Sequence, residues 1–136
     1  MNNHSPILMP LQIPQNWAIL YNSFYQERPR IVEGEIENNL AYKEEVLSMV
    51  QVTYQTGKGY QIQQEGYWLD LGWYPDSDPE GNYKLVLFKK NWDTILVVFQ
   101  SKEQATIQAA INQLLHLFYR YPQEQAIQLF QNYQSS

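Results

Sequence analysis

A chain of 136 residues with a net charge of −5, no cysteine and two histidines is long enough for one domain with its own core. The lack of cysteine rules out disulfides, thiolate zinc sites, iron–sulfur clusters and a cysteine nucleophile. The nine basic residues are scattered, with Lys89-Lys90 the one adjacent pair, so the clustered cations of a nucleic-acid binder are missing.

Residues 1–15 carry Pro6, Pro10 and Pro14 and little periodicity, which predicts an extended arm ahead of a single domain over 16–134. This arm has neither a basic leader region nor an unbroken apolar stretch, and no run in the chain is long enough to span a bilayer. A soluble cytoplasmic protein with no membrane partner is therefore expected. In "NWAILYNSFYQ" (16–26), Trp17, Ile19 and Tyr21 alternate as in a strand. The polar stretch "EGEIENNL" follows, with Glu33, Glu35 and Glu37 at alternate positions, a pattern that belongs in solvent.

From 44 to 55 the pattern fits either a helical stripe or a strand. The β-branched residues and the turn "TGKG" after them favour a strand and hairpin. In "YWLDLGWY" (67–74), Tyr67, Leu69, Leu71 and Trp73 share one face, and Trp68, Asp70, Gly72 and Tyr74 the other. After a turn, Tyr83, Leu85 and Leu87 alternate with Lys84, Val86 and Phe88. "TILVVFQ" (94–100) is apolar on both faces, as expected of a central strand covered on both sides. Ser101 and Gln104 have the spacing of a capping box, and Ile107, Ile111, Leu114 and Phe118 form a helical stripe. Tyr121-Pro122 breaks that helix, and a short second one presents Ala126, Ile127 and Phe130. The expected fold is α+β: a mainly antiparallel sheet of about four to five strands, with a C-terminal helix packed on one face and a short terminal helix.

Few residues mark chemistry. Asp76, Asp78, Glu80 and Gly81 begin like a calcium-binding loop. Position 9 is Lys84, however, position 12 is Leu87, and the flanks read as strands. A turn is expected, with Pro79 presetting φ and Gly81 left-handed; a weak metal site at Asp76, Asp78 and Glu80 is the alternative. Of the histidines, His4 lies in the arm and His116 beside the helical stripe, too far apart to start a zinc site. Asp70 stands between Leu69 and Leu71 within an apolar strand. If buried, it becomes a candidate for a perturbed site; if solvated, it is the polar half of an alternating strand. Trp73, Tyr74 and Trp92, with the acidic segment 33–45 and in it Glu33, Glu35 and Glu37 foremost, are the candidates for an acidic, aromatic contact surface.

"NWAILYNSFYQERP", followed by "LDLGWYPDSDPEGNYKLVLFKKNWDTILVVFQSK" and a terminal helix, resembles small acidic bacterial immunity-type proteins in general layout over residues 16–119. That resemblance implies a non-enzymatic protein that neutralises a toxin by occupying its surface; it assigns no residue roles. The expected function is thus a protein-interaction module of immunity or regulatory type, without cofactor, nucleic acid or metal, as a monomer or small homo-oligomer. The alternative is a small-molecule or enzymatic pocket around Asp70 with Trp68 and Trp73.

Overall fold

The structure, a computed structural model, describes residues 6–89 and 94–135. His4, Trp92 and Asp93 lie outside them. The fold is α+β. Strands β1 (Trp17–Asn22), β4 (Leu47–Gln55), β6 (Tyr67–Tyr74), β7 (Asn82–Lys89) and β8 (Thr94–Ser101) form an antiparallel sheet in the order β1-β4-β6-β7-β8. β5 (Gly59–Ile62) pairs with the outer half of β4, making the sheet six-stranded, and β2 (Ile31–Val32) and β3 (Glu35–Ile36) form a separate ribbon. The ambiguous stretch before "TGKG" is therefore a strand, and the glycines at 57 and 59 take the positive φ its turn requires. Between β5 and β6 the ladder is interrupted, and buried Gln51 bridges the gap by accepting the Tyr67 N–H through its side chain at 2.9 Å.

Two helices, α1 (Gln104–Arg120) and α2 (Gln123–Ser135), cover one face of the sheet. Ile107, Ile111, Leu114 and Phe118 are buried as their spacing predicts, and Ala126 and Phe130 anchor α2. They meet Leu47, Met49, Leu69, Leu71, Leu85, Leu87 and Val97 from the sheet. Both helices are amphipathic, and neither is long and apolar enough to cross a membrane. The extended arm, from residue 6 onward, lies along α1: Asn112 accepts the Gln12 N–H at 2.8 Å, and Gln108 donates to the Pro10 carbonyl at 2.7 Å.

Three expectations are corrected. β8 is an edge strand rather than a central one. Its two apolar faces have different fates: Val97 is buried and Phe99 packs on Phe130, while Ile95 and Val98 remain 48% and 43% exposed. Its carbonyls at Leu96 and Val98 accept from the Gln131 and Gln134 side chains of α2, which shield the edge. The capping box does not form, because Ser101 still belongs to β8 and the cap position falls on Glu103. The Ser101 hydroxyl instead accepts the Glu103 N–H at 3.1 Å. Gly81, finally, is not left-handed; Ser77 carries the positive φ (57°) in that turn. A side chain at position 81 would collide with the Trp73 indole and the Tyr74 carbonyl, so the glycine serves close approach.

Between β1 and β4 the chain leaves the sheet for residues 23–46 and returns through a buried polar and aromatic knot. The Gln104 side-chain amide donates to the Tyr25 carbonyl at 2.8 Å and to the Tyr83 hydroxyl at 3.0 Å, and its oxygen accepts the Glu27 N–H at 3.2 Å. Tyr83 donates onward to the Ala41 carbonyl, and Tyr42 to the Glu27 carbonyl, each at 2.6 Å. The rings of Tyr42, Trp73 and Tyr83 meet edge to face or tilted, with centroids 4.9–5.6 Å apart. Burial pushes Tyr42 up to about 12 and raises Tyr83 as well. Replacing Gln104 with alanine removes all three of its bonds, leaving the Glu27 N–H and the Tyr25 carbonyl to each other at 2.9 Å and the Tyr83 hydroxyl to Ala41 alone. It is expected to lower unfolding free energy by about 1–3 kcal/mol in urea titrations.

Candidate functional site on the uncovered sheet face

The face opposite the helices is organised in rows, since register partners in an antiparallel sheet point to the same side. One row runs Ala18, Val50, Trp68, Phe88, Ile95 across the five strands. The next runs Tyr21, Ser48, Asp70, Val86, Val98. Trp68 stacks on Phe88, with centroids 6.2 Å apart and planes 21° from parallel. Val50, Val86 and Phe88 are buried yet stand outside the main core cluster, so this face has an apolar layer of its own. Tyr21, Ile95 and Val98 keep that layer open to solvent at its two ends.

Asp70 sits at the border of this layer, above a cavity of about 300 Å³. Glu44, Glu45, Tyr74, Lys84 and Val86 line the cavity with it. Its wall depends on Gly72, over which the Glu44 backbone passes so closely that no side chain fits at 72. The Trp73 N–H donates to the Lys43 carbonyl at 2.7 Å, and the Val46 N–H to the Leu71 carbonyl at 2.9 Å, fixing this crossing. The Ser48 hydroxyl donates to Asp70 Oδ1 at 3.0 Å. Burial raises the Asp70 pKa above the ordinary aspartate value; the Ser48 bond opposes that shift and the Glu45 charge adds to it. Tyr74 is raised too, first by burial and then by Glu44, Asp70 and Glu45. Lys84 Nζ lies 5.6 Å from the centre of the Tyr74 ring. The arrangement is an electronegative notch beside an aromatic apolar strip, suited to receiving a cationic group.

The turn at 76–81 is a turn, and it holds the rim of this notch. Asp76 Oδ2 accepts the Glu44 N–H at 3.0 Å, and the Ser77 hydroxyl donates to Oδ1 at 2.8 Å. These bonds, Ser77 foremost, together with Lys43 at 3.9 Å, hold the Asp76 carboxyl below its usual range. Asp78 accepts the Glu80 N–H at 2.9 Å, while Glu80 reaches Lys102 at 3.9 Å. Asp76, Asp78 and Glu80 are thus committed to the turn and its neighbours, and no group of three or more acidic or histidine side chains is placed to hold a metal among the described residues.

The candidate contact residues are not gathered on one surface. Trp73 is a correction: it is 3% exposed, packed between Tyr42 and Tyr83, and its indole N–H donates to the Asp78 carbonyl at 2.7 Å. Its alternation with Leu69 and Leu71 places it on the helix-covered face, where a tryptophan completes the core. Tyr74, the next residue, is exposed and lines the notch. Glu33, Glu35 and Glu37 are exposed on and beside the β2–β3 ribbon, Glu33 at a φ of 51° in its turn and Glu37 near Arg30 at 4.0 Å. Trp92 lies outside the described residues. Asp70 is in the cavity as the pocket alternative expected, but Trp68 stands beside the cavity rather than in it and Trp73 is on the other side of the sheet. His116 is exposed on α1, beside a shallow groove under the arm. Sequence reasoning placed Glu44 and Glu45 only at the end of a broad acidic segment, without Asp70, and missed Lys84. The signal that ties Glu44 and Glu45 to Asp70 is Gly72, since a glycine inside a strand marks a close backbone approach.

Comparison with protein-family models, with curated proteins and with solved structures finds no match.

The folded chain holds the Asp70 proton more tightly than the unfolded chain does, so ionising Asp70 costs stability above the ordinary carboxylate range. Asp70→Asn retains an acceptor for Ser48 and removes that cost. Its melting temperature is expected to exceed that of the parent at pH 7, with the gap closing below about pH 3, where the unfolded chain is protonated too. Thermal melts across this pH range check the prediction.

Proposed function

We propose that this chain is a non-catalytic protein-interaction module that neutralises or regulates a partner by occupying its surface, and that it does so with the uncovered sheet face. The observation that carries the reading is the exposed apolar fringe of that face, with Ile95 and Val98 on β8 and Tyr21 on β1 in solvent and Trp68 half-buried between them. Large apolar side chains left in solvent at the end of a sheet face are the usual mark of a contact surface. Tryptophan and tyrosine are the side chains most often found at the energetic centre of such contacts. A protein acting in this way needs a stiff surface, and a six-stranded sheet backed by two helices supplies one. The resemblance in layout to immunity-type proteins leads to the same kind of action.

A second reading has an observation of its own, the cavity at Asp70. It makes the notch a receptor for a small cationic molecule. A saturable thermal shift with simple amines, lost in Asp70→Asn, would favour it.

Tagged parent, Val98→Glu and Tyr119→Glu chains, each incubated with lysate from the source, test the main reading. Val98 lies on the uncovered face and Tyr119 is exposed on α1. A stoichiometric partner retained by the parent and by Tyr119→Glu, and lost with Val98→Glu, is the expected outcome. Retention by all three, or loss with Tyr119→Glu alone, contradicts it.

A further inference from the structure

We propose that the β4–β5 hairpin carries a binding site for a neutral saccharide, which stacks a sugar ring on Tyr54 and Tyr60 and offers its hydroxyls to the amides of Gln15, Asn16 and Gln63. This goes beyond the reading of the β8 end as a protein contact and does not rest on it.

Register builds the corner. Val52 and Tyr54 follow Val50 along the uncovered side of β4, and their partners Ile62 and Tyr60 point the same way. Tyr54 and Tyr60 are 61% and 58% exposed, and their rings meet edge to face with centroids 5.3 Å apart. Together with buried Val52 they line a cavity of about 200 Å³. The Val52 N–H donates to the Asn16 carbonyl at 2.8 Å, which draws the end of the arm alongside, and Gln15, Asn16 and Gln63 bring amides to the lining. Gln63 donates to the Val52 carbonyl at 3.2 Å, so its amide is held in place with Oε1 left to accept. The side chains of Gln15 and Asn16 make no hydrogen bond among the described residues.

The chemistry of the lining selects the ligand. Among the described residues no charged side chain lines this cavity, and Lys58 belongs to the hairpin turn outside it. A cation would find no acid here, and an anion no base. Nucleic acid also stacks on tyrosine, yet its phosphates call for a positive groove, and the chain carries a net charge of −5. A purely apolar molecule would cut the amides off from water and replace none of their hydrogen bonds. A sugar meets both halves of the lining. The C–H groups on one side of its ring are slightly positive and pack flat against the negative face of an aromatic ring. Its hydroxyls donate and accept, as carboxamides do. Proline-rich peptides seat on aromatic rings too, but along an extended groove. Here two rings make one corner, and the cavity is smaller than the roughly 300 Å³ at which sites for drug-sized ligands begin.

The test is a titration of the isotope-labelled protein with neutral methyl glycosides of glucose, galactose, mannose and N-acetylglucosamine and with their short oligomers, followed by amide chemical shifts. Saturable shifts at Asn16, Val52, Tyr54, Tyr60 and Gln63 with at least one of these sugars are expected. Affinity should fall at least tenfold in Tyr54→Ala and in Tyr60→Ala, hold in Tyr60→Phe, which keeps the ring, and stay unchanged in Tyr119→Ala. Should Tyr60→Ala melt early, Tyr60→Leu removes the ring while keeping an apolar side chain in the strand. No saturable shift with any of the sugars, or shifts confined to other regions, overturns the proposal. Tighter binding of a sulfated or sialylated oligosaccharide, or of a proline-rich peptide, at the same corner overturns it as well.

Discussion

The Gln104 side chain, with the hydroxyl of Tyr83, is the tie on which the rest of this structure depends. Three groups from the excursion between β1 and β4 converge there: the Tyr25 carbonyl, the Glu27 amide and, through Tyr83, the Ala41 carbonyl. Fixing Ala41 and Tyr42 fixes the next residues, and Lys43 to Val46 then cross β6 closely enough to require glycine at 72. That crossing puts Glu44 and Glu45 beside Asp70 and makes the cavity. A half-buried amide at the first residue of α1 is thus tied, through this chain of contacts, to a surface on the opposite side of the sheet. A buried polar network of this kind rigidifies what it joins as long as every member is satisfied.

The same device explains an odd composition. The chain has 17 glutamines and 10 asparagines and only 17% charged residues, and the amides are not idle surface. Gln51 bridges the break between β5 and β6, Gln63 donates to the Val52 carbonyl, and Gln108 and Asn112 hold the arm. Gln131 and Gln134 shield the β8 edge, and Asn38 gathers Glu27, Arg28 and Arg30. An amide both donates and accepts, so it can stand in for a missing backbone partner wherever the chain leaves a regular ladder. Charged side chains offer one role only and lose more when partly buried.

How much of this was readable beforehand follows from the range of each interaction. Alternation at 67–74 and the stripe from Ile107 to Phe118 are local patterns, and both faces come out as the spacing requires. The turn at 76–81 is likewise local, and the strand flanks and missing twelfth ligand identified it. The position of β8 is not local. Two apolar faces describe a strand covered on both sides, and they equally describe an edge strand with one face in the core and Ile95 and Val98 in solvent. The role of Gln104 was misassigned because its capping-box spacing to Ser101 competes with Tyr25 and Tyr83, distant in sequence and adjacent in space. Trp73 and Trp68 are five residues apart on opposite faces. The core took the first, and the second remained for the surface.

The central claim is that the uncovered face is where this protein meets its partner. A photo-reactive phenylalanine analogue placed at Val98, and separately at Tyr119, tests it most directly when each protein is irradiated in extract from the source. One dominant cross-linked product from position 98, absent at 119, is the result the account predicts. Equal cross-linking at both positions, or a product from 119 alone, would contradict it.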